Sequence, residues 1–147
     1  MVSYKPVSIF KASFAFCRYT IAMMVWLSCI VHSVILLEIV AGIFLLSAIL
    51  KVKKAPMIWI YDNTFNKIWP SSEILVNENA IYFAHLAGLT LTVTCLIIVY
   101  SIQSPWAWFS VLAFALLKSV SAFGFCPASK LYDCALNGNC CVNHKSK

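Results

Sequence analysis

The sequence predicts an all-α integral membrane protein, with four transmembrane helices as two hairpins, an interfacial connector and a short cysteine-rich tail. Three observations lead there. Of the 147 residues, 62% are hydrophobic and only 11% are charged, with a mean hydropathy of +0.86; a water-soluble domain usually carries about 45–50% apolar and about 25% charged residues. Two apolar tracts, from about Ser13 to Leu50 and from about Ala80 to Phe125, are each about two spans long, because one span needs roughly 20 residues to cross about 30 Å of hydrocarbon. All eleven Lys and Arg lie in the N-terminal segment up to Arg18, the connector, the inner half of the fourth span or the tail.

The opening "MVSYKPVSIFKASFAFCRYT" places Lys5 and Lys11 ahead of the first apolar run and Arg18 just inside it. No small-residue cleavage site closes that run, which predicts an uncleaved first span. The polar pair His32 and Ser33 in "IVHSV" divides the first tract into spans near 13–31 and 33–50. In "YSIQSPW", Gln103, Ser104 and Pro105 make the second turn, and proline can open the next helix, giving spans near 80–102 and 105–125. Neither turn carries a Lys or Arg. Four spans therefore put every basic segment on one face, which the positive-inside rule makes cytoplasmic; three spans would separate "KVKK" (51–54) from the basic N-terminus. Both termini are expected on the cytoplasmic side of the cell membrane. Trp59, Tyr61 and Trp69 fall near that interface and Trp106 and Trp108 near the other, as aromatic belts do.

The connector, 51–79, interleaves Met57, Ile58, Ile60, Phe65 and Ile68 with Asp62, Asn63, Asn66 and Lys67. This predicts a short amphipathic segment in the headgroup region, ending at Pro70. The chain is one membrane domain with no nucleic-acid motif, and its net charge of +6 needs only anionic lipid as a partner.

The tail, 126–147, holds Cys126, Cys134, Cys140 and Cys141 at spacing C-x7-C-x5-C-C. On the cytoplasmic side stable disulfides are rare. The spacing matches neither the C-x2-C knuckles of zinc ribbons nor the close runs of ferredoxin clusters. The vicinal pair Cys140–Cys141 is suited to gripping a soft cation or exchanging with a third thiol. Lys130, Lys145 and Lys147 favour thiolate, and His144 offers a further ligand. Three readings stay open: inert apolar residues, a thiol redox site, or a metal site for zinc, iron or copper. Cys17, Cys29 and Cys95, scattered singly within spans, read as packing residues.

"NENAIYFAH" (77–85) opening the third helix and "SAFGFCPASKLY" (121–132) closing the fourth resemble an uncharacterised family of small four-helix membrane proteins, the domain of unknown function numbered 4395. The family's closing motif reads Gly-Phe-Cys-x-Gly-Cys, followed by an aromatic residue. This chain keeps Gly124, Phe125, Cys126 and Tyr132, but Ala128 and Ser129 stand where the glycine and second cysteine would be. Some members are fused or adjacent to thioredoxin-like domains. The resemblance implies a four-helix fold and thiol chemistry with a thioredoxin-like partner, the second cysteine's role passing to Cys134, Cys140 or Cys141. The chain is also similar in design to small mercuric-ion uptake proteins, but lacks their cysteine pair within a span.

Ionisable groups inside spans are costly and mark candidate sites. Arg18, His85 and Lys118 all fall roughly 8–11 Å below the cytoplasmic edge at about 1.5 Å per residue. They form one basic layer, suited to an anionic headgroup or substrate, with snorkelling as the simpler account for Arg18. Glu38 lies near the opposite face, too far in depth to pair with Lys118, and is expected to bond a hydroxyl of "LTLTVT" (89–94) or Tyr100. A proton relay between Glu38 and His32 is the functional alternative. Gly42 and Gly88 read as close-packing residues. The sequence has no nucleophile elbow, H-E-x-x-H, phosphate loop or carboxylate pair. The expected function is a non-catalytic subunit or accessory protein, associating with other membrane subunits or with further copies of itself; a thiol relay and soft-metal handling are the alternatives.

Overall fold

Long apolar stretches become helices inside a membrane because a helix satisfies its own backbone hydrogen bonds where water is absent. The computed structural model describes residues 6–50, 55–65, 72–124 and Tyr132. In chain order these form β1 (Pro6–Phe10), α1 (Lys11–Val31), α2 (Val34–Ile49), α3 (Pro56–Thr64), β2 (Glu73–Asn77), α4 (Glu78–Ile102), a 3-10 turn (Pro105–Ala107) and α5 (Trp108–Ala122). α1, α4 and the stretch Pro105–Ala122 are each long and apolar enough to cross a membrane. α2 is equally apolar but shorter: its 16 residues rise about 24 Å, against about 30 Å of hydrocarbon.

Both hairpins turn on a residue with left-handed backbone, His32 at φ 52 and Gln103 at φ 46. Each closes its helix by donating its N–H to the carbonyl four residues back, Ser28 and Val99. The Ser28 hydroxyl donates to the Ser33 carbonyl at 2.9 Å, so the first turn holds its polar groups without solvent. The His32 ring stands edge-on to Trp108 at 4.9 Å, which ties the two turns together at one end of the bundle.

The other end carries a feature absent from the sequence-based expectation. β1 and β2 pair antiparallel, with Pro6 opposite Asn77 and Phe10 opposite Glu73. Each strand runs directly into a helix, β1 into α1 and β2 into α4, so the pair joins the starts of the two hairpins. The Lys11 N–H donates to the Ser72 carbonyl at 3.0 Å, and the Asn77 side chain caps α4 by accepting from the Asn79 N–H at 3.2 Å. Alternation in "PVSIF" buries Val7 and Ile9, as a strand of period two requires. The connector's helix, α3, begins at Pro56, where proline's fixed φ suits a first turn. It packs on α1: the Ser13 hydroxyl donates to Asp62, and the Phe16 ring lies 5.3 Å from Tyr61 and 5.8 Å from Phe65.

The core follows from residues recurring every three or four positions on each long helix. α1 contributes Cys17, Ile21 and Val25, α2 contributes Leu37, Val40 and Phe44, α4 contributes His85, Gly88, Thr92 and Cys95, and α5 contributes Val111, Phe114 and Ala115. α1 packs chiefly on α5 and α2 chiefly on α4, while α4 and α5 share a lighter seam. Polar links cross the α1–α5 and α4–α5 seams: the Trp26 indole N–H donates to the Ser119 hydroxyl at 2.8 Å, and the Cys95 thiol donates to the Ser110 carbonyl at 3.6 Å. Outward faces are apolar, with Met23, Ile35, Leu46, Ile97 and Leu116 exposed.

Candidate functional site

The buried stripe of α1 passes through Cys17, so Arg18 sits at its flank. Its guanidinium carbon lies 4.9 Å from the centre of the Phe14 ring, one turn earlier. The Arg18 Nε is buried with no hydrogen-bond partner. On α4, His85 belongs to the buried stripe itself and is only 8% exposed; its ring lies 6.0 Å from that of Phe44 on α2. Lys118 continues the inward stripe of α5, and its ammonium sits 4.3 Å from the centre of the Phe44 ring and 5.4 Å from that of Phe114.

Gly88 lets these groups meet. A Cβ there would stand 2.7 Å from Phe44 Cε1 and 3.0 Å from Lys118 Nζ, closer than packed side chains allow. The Gly88 carbonyl is taken up by the Thr92 hydroxyl at 2.7 Å, so the close approach exposes no backbone acceptor on α4. Together Arg18, His85, Lys118, Cys17, Phe44 and Gly88 line much of a cavity of about 220 Å³. Among the described residues no carboxylate lines it. Burying a cation is costly, and aromatic faces offset about 0.5–2 kcal/mol of that for each one they meet.

The structure thus brings three of the residues singled out in the sequence, Arg18, His85 and Lys118, to one cavity. Glu38 lies elsewhere, on the α2–α4 seam, where its carboxylate accepts from the Tyr100 hydroxyl at 2.6 Å, while His32 has Trp108 as its ring partner. Cys126, Cys134, Cys140, Cys141 and His144 lie outside the described residues. Tyr132, which is described, packs its ring 5.5 Å from Phe83 on α4. Gly124 ends α5 at φ +101, a conformation that L side chains rarely adopt, which accounts for glycine at the head of "GFC". Gly42 corrects the close-packing expectation, since a Cβ there would meet nothing within 4 Å.

Cys17, Cys29 and Cys95 are unpaired thiols, and among the described residues no three His, Cys, Asp or Glu converge as metal ligands. Sequence reasoning missed the aromatic wall of the cavity. A signal for it exists: Phe14 and Arg18, and again Phe114 and Lys118, are aromatic–cation pairs at i and i+4, the spacing that stacks side chains on one helix face.

No curated protein and no solved structure matches this chain. A family model does match, over residues 13–136, a stretch that takes in nearly all of both hairpins, the cavity and the Gly124–Tyr132 motif. The chain therefore belongs to the family described as Domain of unknown function (DUF4395).

Proposed function

We propose that the chain is a non-catalytic subunit or accessory protein of a larger membrane assembly, crossing the cell membrane four times with both termini cytoplasmic. The observation that carries this reading is the apolar exterior shared by all four long helices, for example Met23, Ile35, Ile97 and Leu116. So much outward hydrophobic surface is ordinary against lipid or a membrane partner and a liability in water. α2 joins the other three as a span because short helices are accommodated by local thinning and by flanking side chains that snorkel; "KVKK" directly follows it. The strand pair supports placing the starts of the first and third spans on the same side of the membrane, since it holds both at one end.

Reporter fusions test the topology. Reporters after Leu50 and at both termini are expected to read cytoplasmic, and insertions at His32 and Gln103 to read external. A reporter after Leu50 on the external side would reduce the chain to three spans and overturn the reading. Native electrophoresis of the full chain in mild detergent tests the subunit role: a fixed-stoichiometry assembly with other polypeptides supports it, and a chain found only alone refutes it.

A second reading draws on Tyr132, whose ring packs on Phe83 near the start of α4. The cysteines of the same sequence segment, Cys126, Cys134, Cys140 and Cys141, would exchange with a thioredoxin-like partner, or bind zinc, iron or copper with His144. A free-thiol count before and after reductant, with elemental analysis of the same sample, decides it. Seven thiols free at once without bound metal would leave the tail cysteines as bystanders.

A further inference from the structure

We infer that the basic cavity binds the phosphate head of an anionic amphiphile, whose acyl chains leave through the seam between α4 and α5. The inference rests on the membrane reading above. Three observations converge on it. The first is charge: Arg18 and Lys118 line one cavity from two helices, with the His85 ring from a third, and no described carboxylate lines it. The second is an unmet donor: the Arg18 Nε is buried without an acceptor, and a phosphate oxygen is the acceptor that a guanidinium binds best. The Lys118 ammonium lies beside the space over Gly88, and it lines the same cavity as Arg18.

The third is size and opening. At about 220 Å³ the cavity is smaller than the roughly 300–1,000 Å³ of pockets that enclose a whole small molecule. It suits a head group whose remainder stays outside. Leu91 on α4 and Leu117 on α5 both line the cavity, yet they are 43% and 47% exposed. They form an apolar rim at the lighter seam, facing the lipid side of the bundle. A lipid presents its chains to such a rim, whereas a soluble anion gains nothing from it.

The test uses the full chain in neutral detergent, with lipid occupancy read by native mass spectrometry against phosphatidylglycerol and phosphatidylcholine. Wild type is expected to retain phosphatidylglycerol at least about tenfold more tightly. Arg18→Gln combined with Lys118→Gln removes that preference, and Lys11→Gln, outside the cavity, keeps it. Should the double variant fail to fold, Leu91→Trp fills the opening without removing charge and is expected to abolish retention. Displacement of the lipid by millimolar inorganic phosphate would show that the site holds the phosphate group alone; resistance to it identifies the membrane lipid as the ligand. Equal retention of both lipids by wild type, or a preference that survives the double variant and Leu91→Trp, overturns the site. A chain that leaves membranes in detergent-free buffer would sink the membrane reading and this inference with it, whereas a membrane-bound chain without lipid preference sinks the site alone.

Discussion

Alanine at Gly88 and at Gly42 makes a matched pair of perturbations whose difference isolates one contact. Both residues lie inside helices, α4 and α2, so each substitution gains about 0.5–1 kcal/mol from helix conformational entropy. At Gly42 nothing opposes the gain, since the new methyl would meet no atom within 4 Å. At Gly88 the methyl would lie 2.7 and 2.8 Å from Phe44 Cε1 and Cζ, and 3.0 Å from Lys118 Nζ. Phe44 is only 2% exposed, so its ring can yield only toward the cavity it lines, at the expense of its contacts with His85 and Lys118. Overpacking of this kind costs about 1–3 kcal/mol. The expected result is Gly42→Ala more stable than wild type by about 0.5–1 kcal/mol and Gly88→Ala below it, with a gap between the two of about 1–3 kcal/mol. Unfolding in mixed micelles, followed by circular dichroism across a denaturing-detergent titration, measures that gap. Phe44→Leu then supplies the cycle: in its background Gly88→Ala should cost at least about 1 kcal/mol less, because contacting residues couple. A gap below about 0.5 kcal/mol, or a cycle with no coupling, would refute the close approach of Phe44 to Gly88.

Other consequences are open to the same assay. Tyr100→Phe removes the hydroxyl that donates to Glu38 at 2.6 Å and is expected to destabilise slightly; Glu38→Gln keeps an acceptor and should cost less, so the reverse order would count against the bond. Gln103→Gly relieves a left-handed backbone at φ 46 and should stabilise by about 1 kcal/mol. His32→Gly relieves the same strain but loses the edge-on contact with Trp108 at 4.9 Å, worth about 0.5–1.5 kcal/mol, so its net effect should fall near zero. Cys17 and Cys95, at 3% and 5% exposure, should alkylate with N-ethylmaleimide only on unfolding, while half-buried Cys29 reacts first; equal rates for all three, read by peptide mass spectrometry, would contradict the packing.

The helices were legible because their signals are local. An apolar run with its polar break at His32 and Ser33, or at Gln103 to Pro105, is contained in a few dozen residues, and the helices stop at those breaks. The strand pair was not legible for the opposite reason. Five residues at Pro6–Phe10 meet five at Glu73–Asn77 across a long intervening chain. Each alone is too short for alternation to stand out beside much longer helical tracts. The value of the pairing comes from joining the hairpins, which no local window contains.

The cavity shows the same divide within one site. Depth along a helix is a count of residues from its end, and so Arg18, His85 and Lys118 could be placed in one layer by arithmetic. Convergence needs phase as well as depth, and phase is set by each helix's buried stripe. His85 lies on its stripe with Gly88, Thr92 and Cys95, whereas Arg18 is one residue off its own, beside Cys17. A side chain off the stripe would ordinarily face lipid and snorkel. The Phe14 face beside it instead supplies a partner for the guanidinium within the bundle. Phe44, the ring that serves both His85 and Lys118, is one of ten phenylalanines, and nothing in its own neighbourhood distinguishes it. What selects it is the missing side chain at Gly88, on another helix. A cationic cavity in an apolar bundle therefore rests on two features that sequence records separately: the aromatic that shields the charge, and the glycine that lets the aromatic in.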